Sequence, residues 1–449
     1  MPDAKTLRIG AGAGFQGDRI EPAVVLASQG GLDYLVLECL AERTVAAAQL
    51  RKRRAPGTGF DPLLEARMEA LLPFVARNRV RVLTNMGAAD PLGAGKVVIA
   101  IARRLGLRVK VAAVTGDDVS RSVKPRMIAL ESGRPLGEHG KIVSANAYLG
   151  IDAILPALAS GADVVVTGRV ADPSLFLAPL AHEFGWAPDD WDRLARGTVV
   201  GHLLECAGQI TGGYFADPGV KDVPDLAHLG FPFADVDVDG FASISKVPGT
   251  GGVVSLATVK EQLLYEVTDP TGYVTPDVTA DFTSVRLAEV GPDRVAVGGA
   301  TGRPRTDTLK VSVGYLAGWI GEGEISYAGA NARARSDLAA TVLRERLQDA
   351  VPDLRIDRIG IDSSHRSSFG HAHDPYEVRL RVAGRSDNLA LAERIGWEVE
   401  SLLTNGPAGG GGARKSVTER LGIVSTLLPR RLATAELVLM QTRYGTKAR

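Results

Sequence analysis

In the first half of the chain, short apolar runs alternate with longer stretches of helical spacing. Residues 7–13, 34–39, 80–83, 109–114, 142–145 and 164–166 are nearly continuous apolar segments. Segments of that kind suit strands buried on both faces of a sheet. Between them, residues 22–29 and 93–105 place apolar side chains at helical intervals. The alternation predicts an α/β fold, with a parallel sheet covered by helices on both faces in the N-terminal half.

Residues 217–232 are rich in Pro, Gly and Asp and read as a connector. Beyond them the pattern becomes α+β. Residues 236–245 alternate as one half-exposed strand, and 282–287, 294–298, 308–315, 358–362 and 376–382 are further strand candidates. Residues 252–267, 330–348 and 388–403 have helical spacing. We therefore expect two domains: 1–225, carrying the site, and a smaller α+β domain, 226–449, closing over it. A length of 449 residues exceeds what one core usually organises, which agrees with two domains.

Lys plus Arg and Asp plus Glu both total 52, so nothing in the charge favours nucleic acid as a partner. The basic run Arg51-Lys52-Arg53-Arg54 reads as a solvated helix end. The two cysteines, Cys39 and Cys206, offer neither a disulfide framework nor a Cys-x-x-Cys metal motif. No apolar run approaches the roughly 18 residues of a membrane span, and no secretory signal opens the chain. A cytoplasmic protein with no membrane partner is the expectation.

The candidate chemistry gathers where the strands end. Ligands of open α/β sheets bind beyond the carboxyl ends of the strands. Asn85, Asp90, Asp117, Asp118, Asn146, Tyr148, Thr167, Arg169 and Asp172 all follow or close such strands. An arginine there pairs with a carboxylate or phosphate, and a buried aspartate serves as acid or base. Each could instead be structural, and Asp172 before Pro173 also suits a helix start.

Two glycine-rich turns and one glycine loop could hold an anion through backbone amides. Gly12, Gly14 and Gly17 form Gly-x-Gly-x-x-Gly after a strand, and Glu38 stands where an acidic ribose ligand would sit. Asp18 and Glu21 put negative charge at the same helix start, which favours a turn shaping a substrate pocket over nicotinamide binding. Gly249, Gly251 and Gly252 precede a helical stretch. Gly409–Gly412 leads to Arg414 and Lys415, with a helix expected next, but lacks the Walker spacing.

Other groups have bland readings. His371 and His373 could present two ligands on one strand face, yet no third ligand is evident and no metal site is assigned. His202 with Cys206 could form a nucleophile pair or simply pack at helical spacing.

Several segments carry a family resemblance. Gly-Ala-Gly-Phe-Gln-Gly-Asp-Arg at 12–19, Thr-Gly-Arg-Val-Ala-Asp-Pro-Ser at 167–174 and His-Glu-Phe-Gly-Trp at 182–186 resemble the acyclic terpene utilisation (AtuA) family. So do the stretch 201–215, Pro-Gly-Thr-Gly-Gly at 248–252 and Asp-Thr-Leu-Lys-Val-Ser at 307–312. The resemblance implies a part in degrading citronellol- and geraniol-type acids through branched acyl-CoA esters. Related chains often carry an extra C-terminal ferredoxin-like domain, which this chain is expected to lack. The resemblance carries over no catalytic residue.

These readings converge on a lyase or hydratase acting on an acyl-CoA or related carboxylate. Arg169 is expected to hold an anionic group, Asp117 or Asp172 to move the proton, and Asn146 to orient the carbonyl oxygen. The glycine loops would take the phosphates of a CoA moiety, the one cofactor-like group implied. The alternatives are a nicotinamide-dependent oxidoreductase and a non-catalytic subunit of an acyl-CoA carboxylase pathway. The apolar strands of the second half suggest a homo-oligomer.

Overall fold

The computed structural model describes residues 5–365 and 375–442. It is an α/β structure, as the alternation predicted. The N-terminal strands are β1 (Leu7–Ala13), β2 (Tyr34–Leu37), β3 (Arg81–Thr84), β4 (Lys110–Thr115), β5 (Lys141–Ala147) and β6 (Val164–Thr167). They alternate with α1 (Glu21–Gln29), α2 (Glu42–Arg54), α3 (Leu64–Asn78), α4 (Pro91–Arg104), α5 (Ile151–Ala159), α6 (Asp172–Phe184) and α7 (Trp191–Leu204). Every residue of β2 and β6 is buried. Successive strand residues point to opposite faces, so both faces of the sheet are covered there.

The remaining strands are β7 (Pro232–Val236), β8 (Ala242–Lys246), β9 (Tyr273–Val274), β10 (Thr279–Asp281), β11 (Arg286–Gly291), β12 (Arg294–Gly298), β13 (Thr301–Arg303), β14 (Thr308–Ala328), β15 (Arg355–Ile359), β16 (Glu377–Ser386), β17 (Gly411–Pro429) and β18 (Glu436–Gln441). With them come α8 (Leu256–Leu264), α9 (Ala332–Leu347) and α10 (Leu389–Asn405). The largest sheet has ten strands in the order β11-β12-β8-β7-β1-β2-β3-β6-β4-β18. Its centre, β1-β2-β3-β6-β4, is parallel, whereas β7, β8, β11, β12 and β18 join antiparallel.

Three expectations about single elements need correction. β5 leaves the parallel sheet and pairs with β14. Residues 236–245 are a hairpin, not one strand: Asp237 accepts the amides of Asp239 and Phe241, and Gly240 takes φ +82°. Turn chemistry there overrides the alternating pattern. The stretch after Gly412 is strand β17, not a helix, so Arg414 and Lys415 do not sit at a helix start.

The chain forms two compact units. The first comprises residues 1–136, 143–314 and 423–449 and holds the ten-stranded sheet; the connector-like stretch 217–232 runs within it. The second comprises 137–142 and 315–422. Its core is built from Ile325, Tyr327, Leu343, Val378, Leu380 and Val399, contributed by β14, β16, α9 and α10. Among the described residues, no helix is long and apolar enough to cross a membrane.

Candidate functional site

The carboxyl ends of the parallel strands form a buried polar cluster in the first unit. Asp117 follows β4, Asn146 closes β5 and Arg169 follows β6. The Asn146 Nδ2 donates to Asp117 Oδ2 at 2.7 Å, and the Arg169 backbone amide donates to the same oxygen at 2.9 Å. At the end of β3, Asn85 accepts the Cys39 amide at 2.7 Å and donates to Glu38 Oε1 at 2.7 Å. Thr167 is buried and donates to the Gly168 carbonyl at 2.9 Å. Asp117, Asn146 and Arg169 are thus bonded to one another, whereas Asn85 bonds Glu38 and Cys39 and Thr167 bonds the Gly168 carbonyl.

Arg169 does not reach outward. Its side chain is 1% exposed, and Nε donates to the Val170 carbonyl at 2.8 Å. The rest of the guanidinium donates to the Leu40 carbonyl and the Asp172 carboxylate, and the group stacks 4.4 Å from the Tyr148 ring. It organises the loops and Asp172 instead of waiting for an anion.

Burial dominates the electrostatics. Desolvation pushes Asp117 up to about 6, despite its two donors. It also raises Glu38 and Glu205, which repel each other and which Arg169 attracts. Glu205 meets His202 Nδ1 at 2.9 Å, while its other oxygen, like Asn146 Oδ1, is buried with no partner among the described residues. His202 is therefore engaged with Glu205. Burial pushes the Cys206 thiol up to about 12, so it is a poor nucleophile at neutral pH.

Beside this cluster lies a cavity of about 480 Å³, lined by Asp172, Tyr148, Glu42, Tyr273 and Lys310 among others. That volume falls within the range of small-molecule sites. The Asp172 carboxylate is 36% exposed at the start of α6. Glu42 accepts the Tyr148 hydroxyl and the Lys310 ammonium, the latter at 3.1 Å. Burial works to raise Glu42, but the Tyr148 hydroxyl, a backbone amide and the charges of Lys310 and Arg169 together outweigh it and hold the carboxyl at about 2. Lys310 also lies 5.0 Å from the Tyr148 ring centre. The cavity thus presents a carboxylate tied to a buried arginine, a phenol and an ammonium.

The family model for "Acyclic terpene utilisation family protein AtuA" matches residues 7–439. The chain belongs to the AtuA family. No curated protein and no solved structure matches it. Membership implies a role in acyclic terpene utilisation.

In this AtuA-family chain the predicted anion loops are largely closed on themselves. Gly12 lies inside β1, where an added Cβ would fall 2.6 Å from Leu37. The Gly14 amide donates to Asp18 Oδ2 at 2.9 Å, and Gly17 lies against Phe15. In the second loop, the Gly251 and Gly252 amides donate to the carbonyls of His228 and Pro224, while Lys246 donates to the Thr250 carbonyl at 2.8 Å. Gly249 takes φ +82° to complete that turn. These groups are spent within the chain. Arg414 and Lys415 lie on β17 in the second unit, where Lys415 pairs with Glu400. His371 and His373 lie outside the described residues.

Glu42, Tyr273 and Lys310 were missed as site residues. Lys310 had a signal, since it stands inside the 307–312 segment that resembles the family. Glu42 and Tyr273 carry none, because nothing local distinguishes an acidic first-turn residue or a tyrosine in a two-residue strand.

Proposed function

We propose that this AtuA-family protein is a lyase or hydratase acting on a branched unsaturated acid or its CoA thioester. The observation that carries the reading is Asp172: one side faces a ligand-sized cavity, and the other is tied to the buried Arg169. Asp172 is the carboxylate that the cavity offers as a general base.

Hydration of a conjugated acid then needs few parts. Asp172 takes a proton from water as the water oxygen bonds to the β carbon. Electrons shift onto the carbonyl oxygen, and a remaining N–H of the Lys310 ammonium stabilises that charge. The protonated Asp172 returns its proton to the α carbon as the carbonyl re-forms. Arg169 positions Asp172, and the bonded pair Asp117 and Asn146 fixes the Arg169 backbone. Lys310, not Arg169, is the cation available to the substrate.

The nicotinamide reading is not carried forward, because the Gly14 amide is spent on Asp18 and Glu38 is bonded to Asn85 and to the Leu40 amide. Incubating the pure protein with a panel of branched unsaturated acids and their CoA thioesters tests the proposal. Mass spectrometry should detect addition or loss of water. Neither turnover nor binding across the panel would sink it.

A further inference from the structure

A second cavity, of about 520 Å³, also lies in the first unit and shares no lining residue with the first. Cys206, Leu229, Phe231 and Tyr265 contribute to its walls, and Phe15 and Tyr214 also line it. Phe15 is 59% exposed and Tyr214 93% exposed. Among the described residues, neither stacks on another aromatic ring. Tyr214 also takes φ +61°, a left-handed backbone conformation that is strained for a residue with a Cβ. Two large uncommitted aromatics beside a ligand-sized hollow mark a binding surface.

The polar groups narrow the ligand. The cation lining the cavity is Arg19. Its Nη1 donates to the carbonyls of Leu226 and Ala227 at 3.2 and 2.9 Å, while Nε and Nη2 make no bond among the described residues. Those two nitrogens form the fork that matches a carboxylate. The Asp18 carboxylate is already engaged, since its oxygens accept the Gly14 and Arg19 amides at 2.9 Å each. Arg19 offers one carboxylate-sized fork, and the Asp18 charge beside it disfavours a polyanion such as a CoA ester.

We propose that this cavity is a second binding site, for an amphipathic monocarboxylate whose apolar chain lies among Phe15, Tyr214, Phe231 and Tyr265 and whose carboxylate meets Arg19. The site binds without covalent chemistry, because the Cys206 thiol is held protonated. The proposal does not rest on the catalytic reading of the first cavity.

Calorimetric titration of the full chain with citronellic acid, a branched unsaturated monocarboxylate, tests it. The Lys310→Ala variant serves as background, so that binding in the first cavity is weakened. Citronellic acid should still bind there with one equivalent. Adding Arg19→Ala should weaken binding at least tenfold, as expected for loss of a charge-assisted pair. Tyr214→Ala, at a fully solvated side chain, should weaken it severalfold with the fold intact. Citronellol should bind at least tenfold more weakly than the acid. Absence of binding in the Lys310→Ala background would overturn the site. Equal affinity for acid and alcohol, or no effect of either second substitution, would overturn the assignment of ligand and residues.

Discussion

Replacing Asp117 with Asn should remove a pH-dependent burden on stability. The carboxyl is buried, and desolvation lifts it from the ordinary 3.8 to about 6, with the charge of Asp118 adding to the rise. A folded-state pKa above the unfolded one means that the stabilising contribution is complete below about pH 3.8. It is then lost as pH rises through about 6. A rise of about two pH units corresponds to about 3 kcal/mol. The carboxamide introduced by Asp117→Asn can keep both existing bonds, with its carbonyl oxygen accepting from Asn146 and from the Arg169 amide, and it cannot ionise. The variant should therefore gain on the wild type as pH rises from 4 to 7, by up to about 3 kcal/mol. Melting temperatures of both proteins, measured across that interval, give the difference directly. Glu38 and Glu205 titrate in both proteins and largely cancel. A difference that stays constant from pH 4 to 7 would refute the reasoning, because it would mean that Asp117 is not held above its ordinary value.

Other substitutions probe the same architecture. Arg169→Met should destabilise by about 3–5 kcal/mol, since it leaves Glu38 and Glu205 buried without their cation; the loss should grow with pH, and thermal melts that match the wild type at pH 8 would contradict it. Lys310→Ala should lower kcat about a hundredfold with little change in melting temperature, because it removes one stabiliser of the developing oxyanion. Gly14→Ala should cost about 1–3 kcal/mol in denaturant titration, as its Cβ would fall 2.4 Å from the Cys206 carbonyl carbon. Gly17→Ala should be milder, because its nearest neighbour is the movable edge of the Phe15 ring at 2.8 Å.

The parallel centre of the sheet was legible because the buried interiors of β1, β2, β3, β4 and β6 are apolar, a pattern that suits a doubly covered strand. Their polar ends located the cluster for the same reason. β5 was misplaced because a strand's apolar pattern reports burial and not its partner, and the partner, β14, lies far along the chain. The role expected of Arg169 changed for a comparable reason. A strand-end arginine is visible in sequence, but whether its donors face a ligand depends on the Leu40 and Val170 carbonyls and on Asp172. Lys310 reaches Glu42 across 268 residues, a contact no local spacing encodes.

Acid–base chemistry on a branched unsaturated acid or thioester in the cavity beside Asp172 is the proposal on which the mechanism depends. The most direct measurement is mass-spectrometric turnover of that substrate panel by the wild type and by Asp172→Asn, alongside ligand binding by both. Water addition or loss is expected with the wild type. Asp172→Asn should bind within a few fold of wild type, with kcat reduced at least a hundredfold. Turnover by Asp172→Asn at the wild-type rate would contradict that proposal.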